Sequence, residues 1–409
     1  MSMWKQVRRR EAIDALAAYL ASRGAIDVRD HRSRAWITGM HQVPRHRFVP
    51  WQAYADACQA GESSRVIDQA IDRADWWRAA YTDCSIIVQR ADGAAEVTDS
   101  AAEPTCALPA PSTLFPSLDL LGLEDHHRVL EIGTGTGWTA ALLAWRLGDE
   151  AVTTIEVDPA LAETAAANLA QARCSPTLAV GNGRYGYRDE APYDRVHVAC
   201  GVWSIPQEWI EQTRPGGRIV LPFMPPPAGA GHGGQRLVLT VMRGGTATGR
   251  FCGPAASCMM LRDQRERIDE HGEEGGRHTT TRLDPRVLAA PPGGLLLTLA
   301  ALAPAILTRA CYEPHGGGGA YVMRLAELGG SSWARVATIP GTPDADVLQG
   351  GDHDLWDTIE AACTAWLAWG QPGPDRFGMT VSPEGQVMWL DHPGRTLAPL
   401  APARRDPRG

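Results

Sequence analysis

Lysine is almost missing from this 409-residue chain. Lys5 is the only one, and arginine carries nearly all the positive charge. Even so, cations are outnumbered: 39 Lys and Arg stand against 47 Asp and Glu, a formal net charge of −8. A general nucleic-acid binder needs a broad basic footprint, so that class is excluded and only a local basic groove stays open. The nine cysteines are scattered, and none stands in a C-x-x-C pair. Cys252 and Cys258 have no His-x-His partner nearby, so no metal site is expected. Reduced thiols and a cytoplasmic location are the expectation. Long apolar runs are also lacking. The longest, Leu295 to Leu307, is interrupted by Pro304 and is shorter than the roughly 20 residues a bilayer requires. Arg8, Arg9 and Arg10 could begin a signal peptide, but Glu11 and Asp14 follow where its apolar core should be. Ile13, Leu16 and Leu20 recur instead at helical spacing, which predicts an amphipathic helix. No internal repeat is visible.

What is present is a change of rhythm along the chain. Residues 1–90 read as a mostly helical segment with the landmark VPRHRFVP, Val43 to Pro50. A loop rich in Ala, Pro and Thr follows, to about Ser112. From Arg128 strands and helices alternate. RVLEI (128–132), VTTIEV (152–157), Thr177–Val180, Tyr193–Cys200 and Arg218–Leu221 read as strands, and 138–147 and 160–172 as helices. That alternation predicts an α/β fold with a doubly wound parallel sheet over 91–262. Segments 236–242 and 246–251 flank Gly244-Gly245 and predict a hairpin. Residues 263–282 are charged and Gly-rich, as a linker would be. Residues 283–409 are expected to form a smaller C-terminal α+β domain, with a helix over 355–369, a hairpin over 377–390 and a frayed tail. Trp356, Trp366, Trp369 and Trp389 are expected in its core.

The candidate site lies where the first strand of this pattern ends. Glu131 to Gly137 (EIGTGTG) joins a short apolar strand to a helix. Gly133, Gly135 and Gly137, with Thr134 between, permit a tight turn and close approach of a ligand to the backbone. Alone, G-x-G-x-G also suits a dinucleotide or a plain turn. The second strand ends at Glu156-Val157, and a carboxylate there can accept hydrogen bonds from both hydroxyls of a ribose. The third ends at Asn182-Gly183, where a side-chain amide can meet an adenine edge, and the fourth ends at Cys200. Ligands of such sheets sit at the carboxyl ends of the strands.

The ordered motifs resemble the protein-L-isoaspartate O-methyltransferase family. VPRHRFVP is similar to its N-terminal signature, Ala80-Tyr81-Thr82-Asp83 to its aromatic-x-Asp step, and VLEIGTGTGWTAALLA to its cofactor loop. VGNGRYGYRDEAPYDRVHV and IPQEWIEQTRPGGRIVLP resemble its later strands. The resemblance covers roughly 35–260 and implies a Rossmann-like fold. It further implies S-adenosylmethionine as cofactor, no metal, and methyl transfer to a peptide carboxylate. Glu131, Gly133, Thr134, Gly135, Gly137, Glu156, Val157, Asn182, Gly183 and Cys200 are the cofactor-binding candidates it supplies, and Asp83, Thr105 and Ser112 the substrate-positioning ones. Two departures stand out. Asn182 replaces the usual Asp, and the family's T-I-S-A-P serine falls on Pro109, which has no hydroxyl. Thr105, Ser112 and Thr113 are the nearby substitutes.

The block Trp366 to Gly394 resembles the tail of a subgroup encoded with ribosomally synthesised, post-translationally modified peptides. That resemblance implies methylation of one aspartate in a precursor peptide, linear or macrocyclised, followed by aspartimide formation. Repair of isoaspartate in damaged proteins is the alternative, and a non-catalytic peptide binder a second. The enzyme is expected as a monomer or homodimer, with neither nucleic acid nor membrane as partner.

Overall fold

The computed structural model describes residues 3–57, 63–226, 233–255, 258–265, 275–315, 318–338, 341–342 and 344–400. It divides into two units. The first runs through Cys200 and adds Pro206–Leu221 and Thr240–Gly245; the second takes Gly201–Ile205, Pro222–Leu239 and everything from Thr246.

The first unit opens with helices α1 (Met3–Ser22) and α2 (His31–Gln42). Asp30 caps α2 by accepting a hydrogen bond from the Arg32 N–H. Ile13, Leu16 and Leu20 are all buried, so the expected amphipathic helix forms. The rest of the N-terminal segment is mostly sheet, not helix. Strands β1 (Gln52–Ala57), β2 (Arg65–Asp68), β3 (Cys84–Arg90) and β4 (Pro104–Leu108) form an antiparallel sheet in the order β2-β1-β3-β4, interrupted by helix α3 (Arg73–Ala80). Short strands with mixed polar faces, such as QAYADA and RVID, carry too little alternation to be read from sequence.

Helix α4 (Pro111–Leu121) leads into the parallel sheet: β5 (Val129–Ile132), β6 (Val152–Glu156), β7 (Thr177–Val180), β8 (Tyr193–Val198) and β9 (Thr213–Phe223), in the order β9-β8-β5-β6-β7. Helices α5 (Trp138–Leu147), α6 (Pro159–Ala172) and α7 (Gln207–Glu211) connect them. The strands and the two long helices fall within a few residues of their expected bounds. Strand β5 is buried at every position, as a central parallel strand must be. Helix α5 is buried at every residue from Trp138 to Ala144, whereas α6 buries only Ala162, Ala165 and Leu169, one stripe at helical spacing.

In the second unit, β10 (Gln235–Val241) and β11 (Ala247–Pro254) are the expected hairpin strands. Strand β12 (Arg277–Thr281), helix α8 (Gly293–Leu302), strands β13 (Ile306–His315), β14 (Gly318–Glu327), β15 (Trp333–Thr338) and β16 (Ala345–Gly350), helix α9 (Leu355–Ala368) and strands β17 (Phe377–Ser382) and β18 (Gly385–Leu390) follow. Order β12-β16-β15-β14-β13 makes an antiparallel sheet. Its core joins Leu295, Leu299, Val336, Val347, Trp356 and Ile359.

Three expectations need correction here. The expected linker ends in β12, which pairs with β16 from Arg277↔Gln349 to Thr281↔Ala345; residues 266–274 of that linker lie outside the described residues. The hairpin β17–β18 does not stay with the C-terminal sheet, because β17 pairs with β11. The tail is packed as far as Leu400, whose N–H donates to Leu302 O at 2.9 Å. Three of the four tryptophans behave as expected: Trp356 is buried in the core of the C-terminal sheet and Trp366 and Trp369 pack partly buried on it; Trp389 is buried too, but on β18 and outside that cluster. No helix among the described residues is long and apolar enough to cross a membrane.

Candidate active site

The glycine loop leaves β5 at Ile132 and turns through three left-handed glycines, φ 93° at Gly133, 55° at Gly135 and 90° at Gly137. Side chains are strained in that region, which is why the sequence spends glycine there. The loop is pinned by the Gly133 N–H to Ile155 O (2.9 Å) and the Gly137 N–H to Thr134 O (3.0 Å). Glu156, the last residue of β6, is buried, and both carboxylate oxygens are oriented by backbone donors. The Gly135 N–H donates to Oε2 at 2.9 Å and the Asp158 N–H to Oε1 at 3.1 Å. Each oxygen keeps acceptor capacity for a further donor. Val157 is half-buried beside it.

Asn182 follows β7. Its Oδ1 accepts from the Arg184 N–H at 2.9 Å and so caps a short 3-10 turn over Gly183–Tyr185. The Gly183 carbonyl accepts from Trp209 Nε1 at 2.8 Å. Cys200 lies just past β8, half-buried. Parallel register aligns Ile132 with Ile155 and Val198, and Glu156 with Val180, so these candidates share the carboxyl edge of the sheet.

Glu131 lies under the loop rather than in it. It is fully buried, and Thr154 Oγ1 donates to its Oε2 at 2.7 Å while Thr154 and Thr134 share a 2.6 Å contact. Oε1 has no hydrogen-bond partner among the described residues. Burial pushes its carboxyl up to about 8; the Thr154 bond opposes the shift and the nearby Glu156 charge adds to it. Its register partner His197 is also fully buried, and burial lowers the imidazole to about 4, so both are neutral at pH 7. The linkage sign follows. The folded-state value lies above the ordinary 4.5, so the carboxyl's contribution is full below about 4.5 and gone above about 8. Glu131→Gln should therefore gain stability relative to the wild type as pH rises through that window, by a few kcal/mol, in urea melts run at several pH values. Parallel pH profiles for the two proteins would contradict this.

The substrate-side candidates divide differently. Asp83 is buried, and its Oδ1 accepts from the Ser112 N–H at 2.9 Å. Helix α4 begins after Ala110, which has no capping side chain, so Asp83 supplies the cap from outside the helix. Thr105 is buried too; its hydroxyl donates to Gln89 Oε1 at 3.0 Å and accepts from the Asp92 N–H at 3.1 Å. Ser112 keeps a half-exposed side chain at the start of α4. Arg45, within VPRHRFVP, is the residue whose role the sequence hides. Its guanidinium is buried over the Trp138 ring at 5.3 Å. It donates to the carbonyls of Ala79, Ala80 and Thr82, and more closely to Cys84 (2.7 Å) and Pro109 (3.0 Å). The loop carrying Pro109 is thus tied to the chain around Asp83. No sequence signal marks this, because His46 and Arg47 stand beside Arg45 in the same motif.

Glu124, His126 and His127 bring three ligand-type atoms within 4.8 Å of one another, but His127 Nδ1 already accepts from the Glu124 N–H at 3.0 Å. His46 bonds Tyr81 Oη through Nδ1 at 2.6 Å, and burial lowers its imidazole to about 4.

Comparison with known proteins gives a consistent answer. Residues 62–230 match the family model for protein-L-isoaspartate(D-aspartate) O-methyltransferase. A Methanopyrus kandleri protein-L-isoaspartate O-methyltransferase is 32% identical over 216 residues, 52% of this chain and 77% of that one. The chain belongs to the protein-L-isoaspartate O-methyltransferase family. The Methanothrix thermoacetophila member is 42% identical over 115 residues, 28% of this chain and 55% of that one. The chain therefore spans about half the length of several relatives that it matches. A solved structure titled protein-L-isoaspartate O-methyltransferase aligns with 94% of this chain and 100% of its own, with a TM-score of 0.50 and 17% identity, which shows the family's fold.

Proposed function

We propose that this chain is an S-adenosylmethionine-dependent carboxyl O-methyltransferase acting on one aspartate of a ribosomal precursor peptide. The observation that carries the cofactor reading is Glu156, held by the Gly135 and Asp158 N–H groups at the edge of a left-handed glycine loop. That arrangement fits a nucleoside. Glu156 would accept both ribose hydroxyls, the backbone of Gly133 to Gly137 would approach the amino-acid end, and Val157, Asn182 and Gly183 would flank the adenine. Glu131 and Thr134 would shape the loop from beneath, and Cys200 would border the methyl. When bound, S-adenosylmethionine supplies an electrophilic methyl group on its sulfonium.

The protein's own task is placement. A peptide carboxylate has an ordinary pKa near 4 and is already an anionic nucleophile at pH 7, so no general base is needed. Burial lowers His197 and His46 to about 4, which makes both weak bases, and Asp83 is committed to a helix cap; both facts are consistent with that. Positioning and exclusion of water then set the rate. Ser112, at the start of α4, is the side chain available to orient the acceptor.

The acceptor reading rests on three features: Pro109 stands where the family has a hydroxyl, Arg45 locks that loop, and a second unit follows the methyltransferase sheet. Methylation converts a poor electrophile into an ester. The next backbone nitrogen attacks its carbonyl and methanol leaves, closing an aspartimide. The names of the relatives favour a second reading, repair of isoaspartyl residues. Incubation of the enzyme and cofactor with candidate ribosomal precursor peptides and, separately, with generic isoaspartyl peptides, followed by mass spectrometry, separates the two. The proposal expects gain of a methyl and then net loss of water from the precursor. Methylation of generic isoaspartyl peptides alone would overturn it.

A further inference from the structure

The route by which Glu156 is held does not end at its backbone partners. Asp158, whose N–H donates to Glu156 Oε1, uses its own Oδ1 to cap α6 through the N–H groups of Ala160 and Leu161. Its other oxygen, Oδ2, accepts from Gln89 Nε2 at 2.9 Å. Gln89 Oε1 in turn accepts from Thr105 Oγ1 at 3.0 Å, and Thr105 Oγ1 accepts from the Asp92 N–H. Both ends of the Gln89 amide are therefore spent, on residues 69 and 16 positions away.

The backbone around Gln89 is shaped for this. The β3–β4 ladder slips register on both sides of it, between Ile87 and Gln89 and between Gln89 and Arg90. Bulges of this kind re-aim a side chain. Three successive residues follow with positive φ: Ala91 at 46°, Asp92 at 52° and Gly93 at 90°. For a non-glycine residue that conformation is costly and persists only where surroundings impose it. Here buried Arg90 anchors the turn, donating to Val97 O and Ala102 O, and the Ala91 N–H donates to Glu103 O. The turn's own bond, from Asp92 N–H to Thr105, is the far end of the relay. Strand β4 also lies against the glycine loop: a Cβ on Gly135 would stand 3.4 Å from Cys106 Sγ.

We infer that Gln89 is a positioning residue for the cofactor, acting through Asp158 to hold the Glu156 carboxylate in its ribose-binding orientation, with Thr105 fixing Gln89. The inference rests on the reading of Glu156 given above. It assigns Thr105 to the cofactor side of the site and not to the acceptor peptide.

A double-mutant cycle on the full chain tests it, with S-adenosylhomocysteine affinity measured by calorimetry. Gln89→Leu keeps the volume and removes both bonds. It should weaken binding about 10-fold in the wild-type background and cause no further loss in a Glu156→Ala background, because coupled residues are non-additive. The Michaelis constant for the cofactor should rise with kcat unchanged, a split that general loss of structure would not produce. Thr105→Val, which leaves Gln89 in place, should shift affinity in the same direction by about 3-fold. It serves as the readout if Gln89→Leu proves unstable by circular dichroism. Unchanged affinity in both variants, or a Gln89→Leu effect that simply adds to that of Glu156→Ala, overturns the inference and leaves the Glu156 reading standing. Unchanged affinity in Glu156→Ala itself overturns that reading, and the inference with it.

Discussion

Arg45→Ala should cost the first unit about 3–5 kcal/mol of stability, seen as a fall in the urea midpoint of its unfolding transition. The size follows from what is left behind. The guanidinium's two shortest bonds go to Cys84 O and Pro109 O, at 2.7 and 3.0 Å, and the residue is buried. Truncation leaves these carbonyls without that donor and opens a void against Trp138, whose ring the guanidinium covers. Arg45→Lys should recover less than half of the loss, since an ammonium cannot reproduce a planar fork reaching two loops. A loss below about 1 kcal/mol in Arg45→Ala would mean that the loops around Asp83 and Pro109 hold themselves.

The second large effect is on cofactor affinity. On the proposed reading Glu156→Ala removes an acceptor for both ribose hydroxyls, and two hydrogen bonds to a charged group correspond to roughly 100- to 1,000-fold in Kd. The fold should be intact, because β6 keeps its pairing with β5 and β7 through backbone groups. Glu156→Gln should fall between. Its oxygen can still accept, but its NH2 must face either the Gly135 or the Asp158 N–H, which are donors too. Calorimetric titration with S-adenosylhomocysteine measures both, and a change of less than about 3-fold in Glu156→Ala would remove ribose binding from this residue.

How far these features could be read in advance depended on their periodicity. The parallel sheet was legible because each strand is short, apolar and punctuated by glycine or a cap, so 129–132, 138–147 and 177–180 emerge within a residue or so. The β1–β4 sheet was not, since QAYADA and RVID lack a clear apolar face and tertiary pairing decides them. Pairing across long sequence distance was equally hidden. That β17 joins β11 is a property of register, which composition does not carry. At the site, residue types near the glycine loop could be named, but not which way they turn. Asp83 read equally as a group orienting a substrate and as a local cap, and it is the cap, accepting from the Ser112 N–H; Thr105, read as facing a substrate, is committed to Gln89. Gln89 and Asp158 went unnoticed because neither stands in a motif; only the bulge in β3 and the cap on α6 bring them together.

The central claim is transfer of a methyl group from S-adenosylmethionine to a carboxylate oxygen. The most direct measurement uses cofactor carrying a deuterated methyl, with the precursor peptide as acceptor, and follows peptide mass before and after brief mild alkali. The account predicts one labelled methyl on an aspartate, released as methanol by the base treatment, because an ester is labile where an N-methyl group is not. Label that survives alkali, or no transfer to any peptide by an enzyme that still binds S-adenosylhomocysteine, would contradict it.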